Sequence, residues 1–175
     1  MDISKNDIRI RNAGAADCEQ LAAWWNDGKI MAHAGFPNGL GTTPAHIREE
    51  IADDADDTKR RLIIEYKGTP IGEMSYYNLG RHVAEMGIKI CNTDYQEKGL
   101  GRTILSMLIA ELFQRGYEKI VLDTNLKNER AQHVYEMLGF RRLRVNIDSW
   151  EDQLGELQSS VDYELVPGDF QNYSA

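Results

Sequence analysis

The alternation of apolar and polar residues predicts a strand and two helices in the first third of the chain. Isoleucine alternates with arginine over residues 8–11, the pattern of a short strand. A capping-box signature opens residues 17–25, where apolar side chains recur at helical spacing. A threonine cap followed by proline predicts a second helix over 44–54. Residues 28–43 hold four glycines and one proline and follow neither period, so we expect a loop there, with at most a short helical turn.

The remaining two thirds predict an α/β domain. We expect six further strands, at residues 61–66, 71–78, 83–90, 119–123, 140–147 and 160–166. Two helices are expected between them, at 99–115 and 128–138, and glycine follows the end of each. The predicted fold is a mixed, largely antiparallel central sheet of about seven strands with helices on both faces. At 175 residues, the chain is expected to form a single domain, 1–175.

Composition and charge narrow the classes of function. Twenty basic against 28 acidic residues give a net charge of −8, which disfavours a nucleic-acid binder or a protein that docks on anionic membranes. No apolar run approaches the roughly 20 residues needed to span a bilayer, and the polar start is unlike a signal peptide. Cys18 and Cys91 are isolated from each other in the sequence, so a reducing cytoplasm is the expected location.

A glycine-containing segment at the start of the longest predicted helix is a candidate anion site. Residues 96–102 read Gln-Glu-Lys-Gly-Leu-Gly-Arg and follow a strand. Two glycines allow close approach to the backbone, and the unpaired amides of a helix start attract an anion such as a pyrophosphate. Taken alone the segment is weak, because many strand-to-helix turns use glycine. It lacks the third glycine of a dinucleotide-binding fingerprint and the Gly-Lys-Ser/Thr of a Walker loop.

A second segment makes the pattern more specific. Residues 128–140 read Asn-x-x-Ala-x-x-x-Tyr-x-x-x-Gly-Phe, and a strand separates them from the glycine segment. With its Gln-x-x-Gly-x-Gly loop in that order, the chain resembles the GNAT superfamily of acyl-CoA-dependent N-acetyltransferases. It looks most like the branch that acetylates ribosomal-protein N-termini and small molecules. The resemblance implies a GNAT-like acyl-CoA N-acyltransferase fold and acetyl-CoA as co-substrate, with no metal.

The resemblance also implies where acetyl-CoA lies and how it reacts. The pantetheine arm would pair with the strand that holds Ile88 and Ile90, and the pyrophosphate would bind the amides of the glycine segment. The residues so assigned to cofactor binding are Ile88, Ile90, Gln96, Glu97, Lys98, Gly99, Leu100, Gly101, Arg102 and Asn128. A primary amine would attack the thioester directly, through a tetrahedral intermediate and without an acyl-enzyme. Its ammonium form, with a pKa of about 10.4, must first lose a proton.

Two residues are the candidate catalytic groups. Tyr135 matches the family tyrosine that protonates the departing thiolate, although its place on an apolar helix stripe also suits a core residue. Glu85 precedes the cofactor strand and is the candidate base, with Glu73 as a second candidate. Either carboxylate also suits a solvated strand position. We expect Cys91 to be a small buried residue rather than a nucleophile, because no histidine is linked to it by a motif.

The predicted function is therefore transfer of an acetyl group from acetyl-CoA to a primary amine. A non-catalytic acyl-CoA-binding regulatory module is the alternative, and a nucleotide-binding domain is a third reading. The four histidines share no metal-ligand spacing, so no metal site is expected. The acceptor, a small-molecule amine or a peptide N-terminus, is expected between residues 28–43, the strand ends near Tyr76 and Tyr77, and residues 150–159. Homodimerisation, if it occurs, is expected through the late strands.

Overall fold

The computed structural model describes all 175 residues as one mixed sheet with helices on both faces. The strands are β1 (Asp2–Lys5), β2 (Ile8–Asn12), β3 (Lys59–Tyr66), β4 (Thr69–Asn78), β5 (Val83–Ile90), β6 (Lys119–Asn125), β7 (Arg141–Glu151) and β8 (Leu157–Leu165). The α-helices are α1 (Cys18–Trp25), α2 (Gly28–Met31), α3 (Pro44–Ala52), α4 (Leu100–Gln114) and α5 (Glu129–Met137). None of them combines the length and apolar character needed to cross a membrane.

The sheet has the order β1-β2-β3-β4-β5-β6-β8-β7 and is antiparallel except where β5 meets β6. The predicted class is confirmed, with eight strands instead of about seven. The additional strand is β1, which forms a hairpin with β2 through a turn in which Asn6 has φ of 52°. Its sequence, Asp-Ile-Ser-Lys, contains a single apolar residue because β1 is an edge strand with little of its surface in the core.

Two hydrophobic clusters hold the helices against opposite faces of the sheet. On one face α4 and α5 pack over a cluster of 23 buried residues, and on the other α1 and α3 pack over a cluster of 10. Strand β3 shows the division directly: Leu62 and Ile64 belong to the larger cluster, whereas Ile63 between them belongs to the smaller one. Successive side chains of a strand point to opposite faces, so a continuous apolar run marks a strand covered on both sides.

The cysteines are buried and free. Cys91 is 4% exposed and belongs to the smaller cluster, which confirms its prediction as a small buried residue. Burial raises the pKa of its thiol to about 12, so at neutral pH the group is a neutral thiol and a poor nucleophile.

Candidate active site

The strands β5 and β6 pair in parallel only near their beginnings. Their register joins Val83 to Lys119 and ends where Glu85 meets Val121. Beyond that point the two strands separate, and a cleft of about 1460 Å³ opens between them. The second half of β5 therefore keeps β4 on one edge and presents its other edge to the cleft.

The free edge of β5 carries main-chain groups that can pair with an extended ligand. The carbonyl of Ile90 accepts a hydrogen bond of 2.8 Å from Gln96 Nε2, which ties the following loop to this edge. The main-chain groups of a strand alternate between its two edges, so Ile88 presents its amide and carbonyl on the same side as Ile90. Both residues line the cleft, and their role in cofactor binding stays a prediction.

The predicted anion site is a helix start without a side-chain cap. Gly99 is the N-cap of α4, has φ of 73°, and supplies no side chain to the amides of the first turn. Gly101 lines the cleft, and a Cβ built on it would meet no atom within 4 Å. The first turn of this 15-residue helix therefore offers unpaired amides beside open space, which suits a phosphate group.

The side chains of the glycine segment differ in where they lie. Gln96, Glu97 and Arg102 line the cleft together with the two glycines, whereas Lys98 and Leu100 do not. The Lys98 ammonium lies 5.5 Å from the centroid of the Tyr95 ring. The assignment of Lys98 and Leu100 to cofactor binding stays a prediction that rests on their main-chain amides alone.

Helix α5 brings Asn128 and Tyr135 to the opposite wall of the cleft. Asn128 caps the helix, since its side chain accepts a hydrogen bond of 3.2 Å from the amide of Ala131. Tyr135 is 6% exposed, and its ring lies 5.7 Å from that of Phe140 and 5.8 Å from that of Tyr163, measured between centroids. Tyr135 therefore packs in the core and also lines the cleft, so its two interpretations are compatible. Burial raises the pKa of Tyr135, so its hydroxyl keeps its proton at neutral pH.

The sequence did not single out Asp123, which the structure places in the cleft beside these groups. Asp123 follows Leu122 on β6, and alternation along this strand places its carboxylate on the face away from α4. It lies directly opposite Asp162 of β8. Partial desolvation by the cleft walls, and then repulsion from Asp162, raise the pKa of this solvent-accessible carboxyl. The sequence did carry one signal for Asp123, because it is an acidic residue at the end of the compact predicted strand 119–123, just before the second motif.

The two carboxylates that the sequence favoured occupy other positions. Glu85 is exposed and does not line the cleft. Partial desolvation and the charge of Asp123 raise the pKa of Glu85. Glu73 accepts a hydrogen bond of 2.8 Å from Trp25 Nε1, and one of its oxygens lies 3.6 Å from Lys89 Nζ. Glu73 is therefore held by two partners and lines a different cavity.

The expected acceptor segments also divide. Asp27, Lys29 and His33 line the cleft together with Trp150, and the role of their segments in acceptor binding stays a prediction. Of the strand ends near Tyr76 and Tyr77, Tyr77 lines a neighbouring cavity, whereas Tyr76 lines neither space. Tyr76 is fully buried in the cluster of 23 residues, and its hydroxyl donates a hydrogen bond of 3.0 Å to the carbonyl of Asp56.

Comparison with known proteins gives a consistent result. Residues 36–140 match the Acetyltransferase (GNAT) family. A mycothiol acetyltransferase of Cellulomonas flavigena is 32% identical over 133 residues, 70% of this chain and 38% of the relative. The ribosomal protein bS18-alanine N-acetyltransferase of Escherichia coli K12 is 42% identical over 52 residues, 30% of this chain and 35% of the relative. The alignments therefore span little more than a third of either relative.

A solved structure extends the likeness to the whole fold. The spermidine N-acetyltransferase from Vibrio cholerae, in complex with CoA and spermine, superimposes with a TM-score of 0.81. The match covers 94% of this chain and 98% of that one at 20% sequence identity. At that identity the likeness describes the fold alone.

Proposed function

The chain belongs to the acetyltransferase (GNAT) family, and from this premise we propose that it transfers the acetyl group of acetyl-CoA to a primary amine. The observation that carries the proposal is the cleft between β5 and β6. In it a free strand edge, an uncapped helix start, a buried tyrosine and a carboxylate with a raised pKa face one space.

The described residues fit acetyl-CoA as the donor substrate. Ile88 and Ile90 offer main-chain groups to the amides of the pantetheine arm, and the first turn of α4 offers amides to the pyrophosphate. Open space above Gly101 leaves room for the phosphate oxygens to approach these amides. Arg102 adds a positive charge on the same turn. In this proposal a main-chain amide near Ile88 stabilises the negative charge that develops on the thioester oxygen.

We assign the base to Asp123 instead of Glu85. The cleft contains three carboxylates, those of Asp27, Glu97 and Asp123. Asp27 caps α2 by accepting a hydrogen bond of 2.8 Å from the Lys29 amide, and Glu97 pairs with Arg130 at 2.9 Å. Asp123 forms no ion pair, and its raised pKa makes it a stronger proton acceptor than an ordinary aspartate. It can bind the incoming ammonium and take a proton from it, directly or through one water.

Tyr135 supplies the acid in this proposal. Its hydroxyl keeps its proton because burial, and then the charge of Asp123, raise its pKa. As the carbon–sulfur bond breaks, the Tyr135 proton passes to the departing thiolate of CoA. The phenolate so formed is strongly basic, and it regains a proton from solvent or from the acetylated product.

Thiol release from acetyl-CoA, measured with and without a panel of amines, tests the proposal. Enzyme activity predicts amine-dependent thiol release together with a product that carries one additional acetyl group by mass. A non-catalytic acyl-CoA-binding module predicts tight acetyl-CoA binding by calorimetry and no amine-dependent release. A nucleotide-binding domain predicts stabilisation by ATP or NAD in place of acetyl-CoA.

A further inference from the structure

We propose that a second cavity beside the cleft binds a carboxylate group at the distal end of the acceptor. The inference rests on the proposed acetyltransferase activity and adds a substrate class to it. The acceptor would then be an amine that carries a carboxylate several atoms away, with the amine at Asp123 and the carboxylate in the second cavity.

The second cavity adjoins the cleft on the face of the sheet that α3 covers. It has a volume of about 600 Å³, and Lys89 of β5 lines both spaces. Ser75 on its floor is the register partner of Gly87, which lines the cleft. A Cβ on Gly87 would lie 3.6 Å from Ser75 Oγ and meet nothing else. Because Gly87 and Ser75 are small, a ligand can extend over them from the cleft to the second cavity.

A buried guanidinium is the main binding group of the second cavity. The Arg61 side chain is 9% exposed. Its Nε and Nη2 donate hydrogen bonds of 3.2 Å and 3.1 Å to the Asp54 carboxylate, which fixes the guanidinium in place. Nη2 also donates a hydrogen bond of 2.7 Å to the carbonyl of Glu50. The remaining nitrogen, Nη1, makes no hydrogen bond and lies 3.5 Å from a Glu50 carboxylate oxygen. It keeps donors for a further acceptor oxygen.

A second cation lies on the same side of the sheet. Strand register places Lys59 opposite Tyr77 and Arg61 opposite Ser75, so alternation brings both cations to the cavity face. Lys59 forms no ion pair, and its ammonium lies 5.5 Å from the centroid of the Tyr77 ring. The hydroxyl of Thr42, in the loop that covers the cavity, is buried without a hydrogen-bond partner.

The carboxylates that line this cavity already have partners. Glu73 is held by Trp25 and Lys89, and Glu50 lies within 3.8 Å of His46 Nε2 as well as near Arg61. Lys59 and the Ser75 hydroxyl form no hydrogen bond or ion pair, and Arg61 Nη1 has only the ion pair with Glu50 at 3.5 Å. A carboxylate is the group that complements a fixed guanidinium and a nearby ammonium.

Acceptors matched in length and differing in the distal group test the inference. We compare 6-aminohexanoate, hexylamine and 1,6-diaminohexane, and repeat the comparison with the shorter and longer homologues. The expected order of kcat/KM places the amino acid first, about tenfold above the plain amine, because the carboxylate gains charge-assisted hydrogen bonds. The diamine is expected last. Equal values for the three acceptors at every length, or a preference for the diamine, overturn the inference.

Variants separate the cavity from general effects. Ser75→Asp places a carboxylate beside Arg61, so it should raise KM for 6-aminohexanoate about tenfold more than it raises KM for hexylamine. Lys59→Met should raise the same KM by a smaller factor. Lys67→Met is the matched control, since Lys67 is an exposed lysine of the β3–β4 turn that does not line the cavity, and it should change nothing. A Ser75→Asp variant that keeps the wild-type KM for the amino acid contradicts the assignment.

Calorimetry distinguishes failure of this inference from failure of the proposed function. If no amine is acetylated, the acetyltransferase proposal fails, and 6-aminohexanoate is titrated into the CoA-bound protein. Binding to wild type that Ser75→Asp abolishes supports the carboxylate site independently of turnover. Absence of binding to wild type, or equal binding to both proteins, rejects it.

Discussion

The ring of Tyr173 stacks on the guanidinium of Arg102, with 5.2 Å between the ring centroid and the guanidinium carbon. Two further contacts hold the tyrosine on α4 and α5. Its amide donates a hydrogen bond of 2.9 Å to Ser106 Oγ, and its hydroxyl donates one of 3.3 Å to the carbonyl of Met137. The C-terminal segment therefore fixes the direction of an exposed arginine at the predicted pyrophosphate site.

Removing this stacking should weaken CoA binding. A cation–π contact at an exposed site contributes about 0.5–1 kcal/mol, so Tyr173→Leu should raise the CoA dissociation constant roughly two- to fivefold in calorimetry. Tyr173→Phe keeps the ring and should bind like wild type. In an Arg102→Ala background the Tyr173→Leu change should have no further effect. An additive double variant would show that Tyr173 acts on the fold and not on Arg102.

The open space above Gly101 leads to a second prediction. Gly101→Val meets no protein atom at Cβ and replaces a poor helix former, so the melting temperature should hold. Because the new side chain occupies the space assigned to the pyrophosphate, the dissociation constant of acetyl-CoA should rise by about tenfold or more.

Two other glycines serve as controls for that variant. Gly168 also has open space at Cβ but lies outside the cleft, so Gly168→Val should leave binding unchanged. Gly99→Ala should lower the melting temperature, because φ of 73° strains any side chain. Unchanged acetyl-CoA affinity in a folded Gly101→Val protein would remove this turn from the cofactor site.

Much of the fold could be predicted from the sequence because its helices and strands have strong hydrophobic periodicity or clear capping and turn residues at their ends. Helix α4 was expected over 99–115 and spans Leu100–Gln114, and β5 was expected at its observed bounds. Strand β1 was missed because four mostly polar residues carry no period. The hairpin strands β7 and β8 extend further than predicted, to Glu151 and from Leu157, because pairing between strands continues where the alternation of side chains stops.

Of the candidate site, only the residues that belong to sequence motifs could be predicted. The glycine segment and Tyr135 belong to local patterns, and the structure brings them to one cleft. The carboxylates depend on which strand edges separate and which face each residue takes. Glu85 precedes the separation of β5 from β6 and remains outside the cleft, whereas Asp123 lies past it and faces the space. That separation is a property of the sheet, which no spacing in the sequence records.

Asp123→Asn tests the assignment of the base. The amide keeps the shape and cannot accept the ammonium proton, so kcat/KM should fall by about 10²–10⁴-fold. In the wild type, kcat/KM should rise with pH through the raised pKa of Asp123, and this inflection should vanish in the variant. Glu85→Gln is the matched comparison and should keep most of the activity. A large loss in Glu85→Gln with little loss in Asp123→Asn would restore the base that the sequence favoured.

Asp123→Asn should raise the stability of the protein at neutral pH, although it lowers activity. Because the folded protein raises the pKa of Asp123 above its ordinary value of 3.8, folding favours the protonated form. The wild type therefore loses stability as pH rises through the raised pKa, and Asp123→Asn does not. Thermal melts should show a higher melting temperature for the variant at neutral pH, with the difference disappearing below pH 3.8. A variant that is less stable at neutral pH contradicts the raised pKa that desolvation and repulsion from Asp162 give to Asp123.

Tyr135→Phe removes one oxygen from a residue whose ring packs between Phe140 and Tyr163, so it separates packing from chemistry. The melting temperature and the acetyl-CoA dissociation constant should hardly change, because the apolar contacts remain. If the hydroxyl protonates the CoA thiolate, kcat should fall by about 10²–10⁴-fold, or less where water replaces it. Measurement at saturating acetyl-CoA with an amine that the wild type acetylates isolates this step. The loss should be smallest for thioesters of more acidic thiols, since such leaving groups need less protonation. Equal kcat for mutant and wild type would leave Tyr135 a core residue alone.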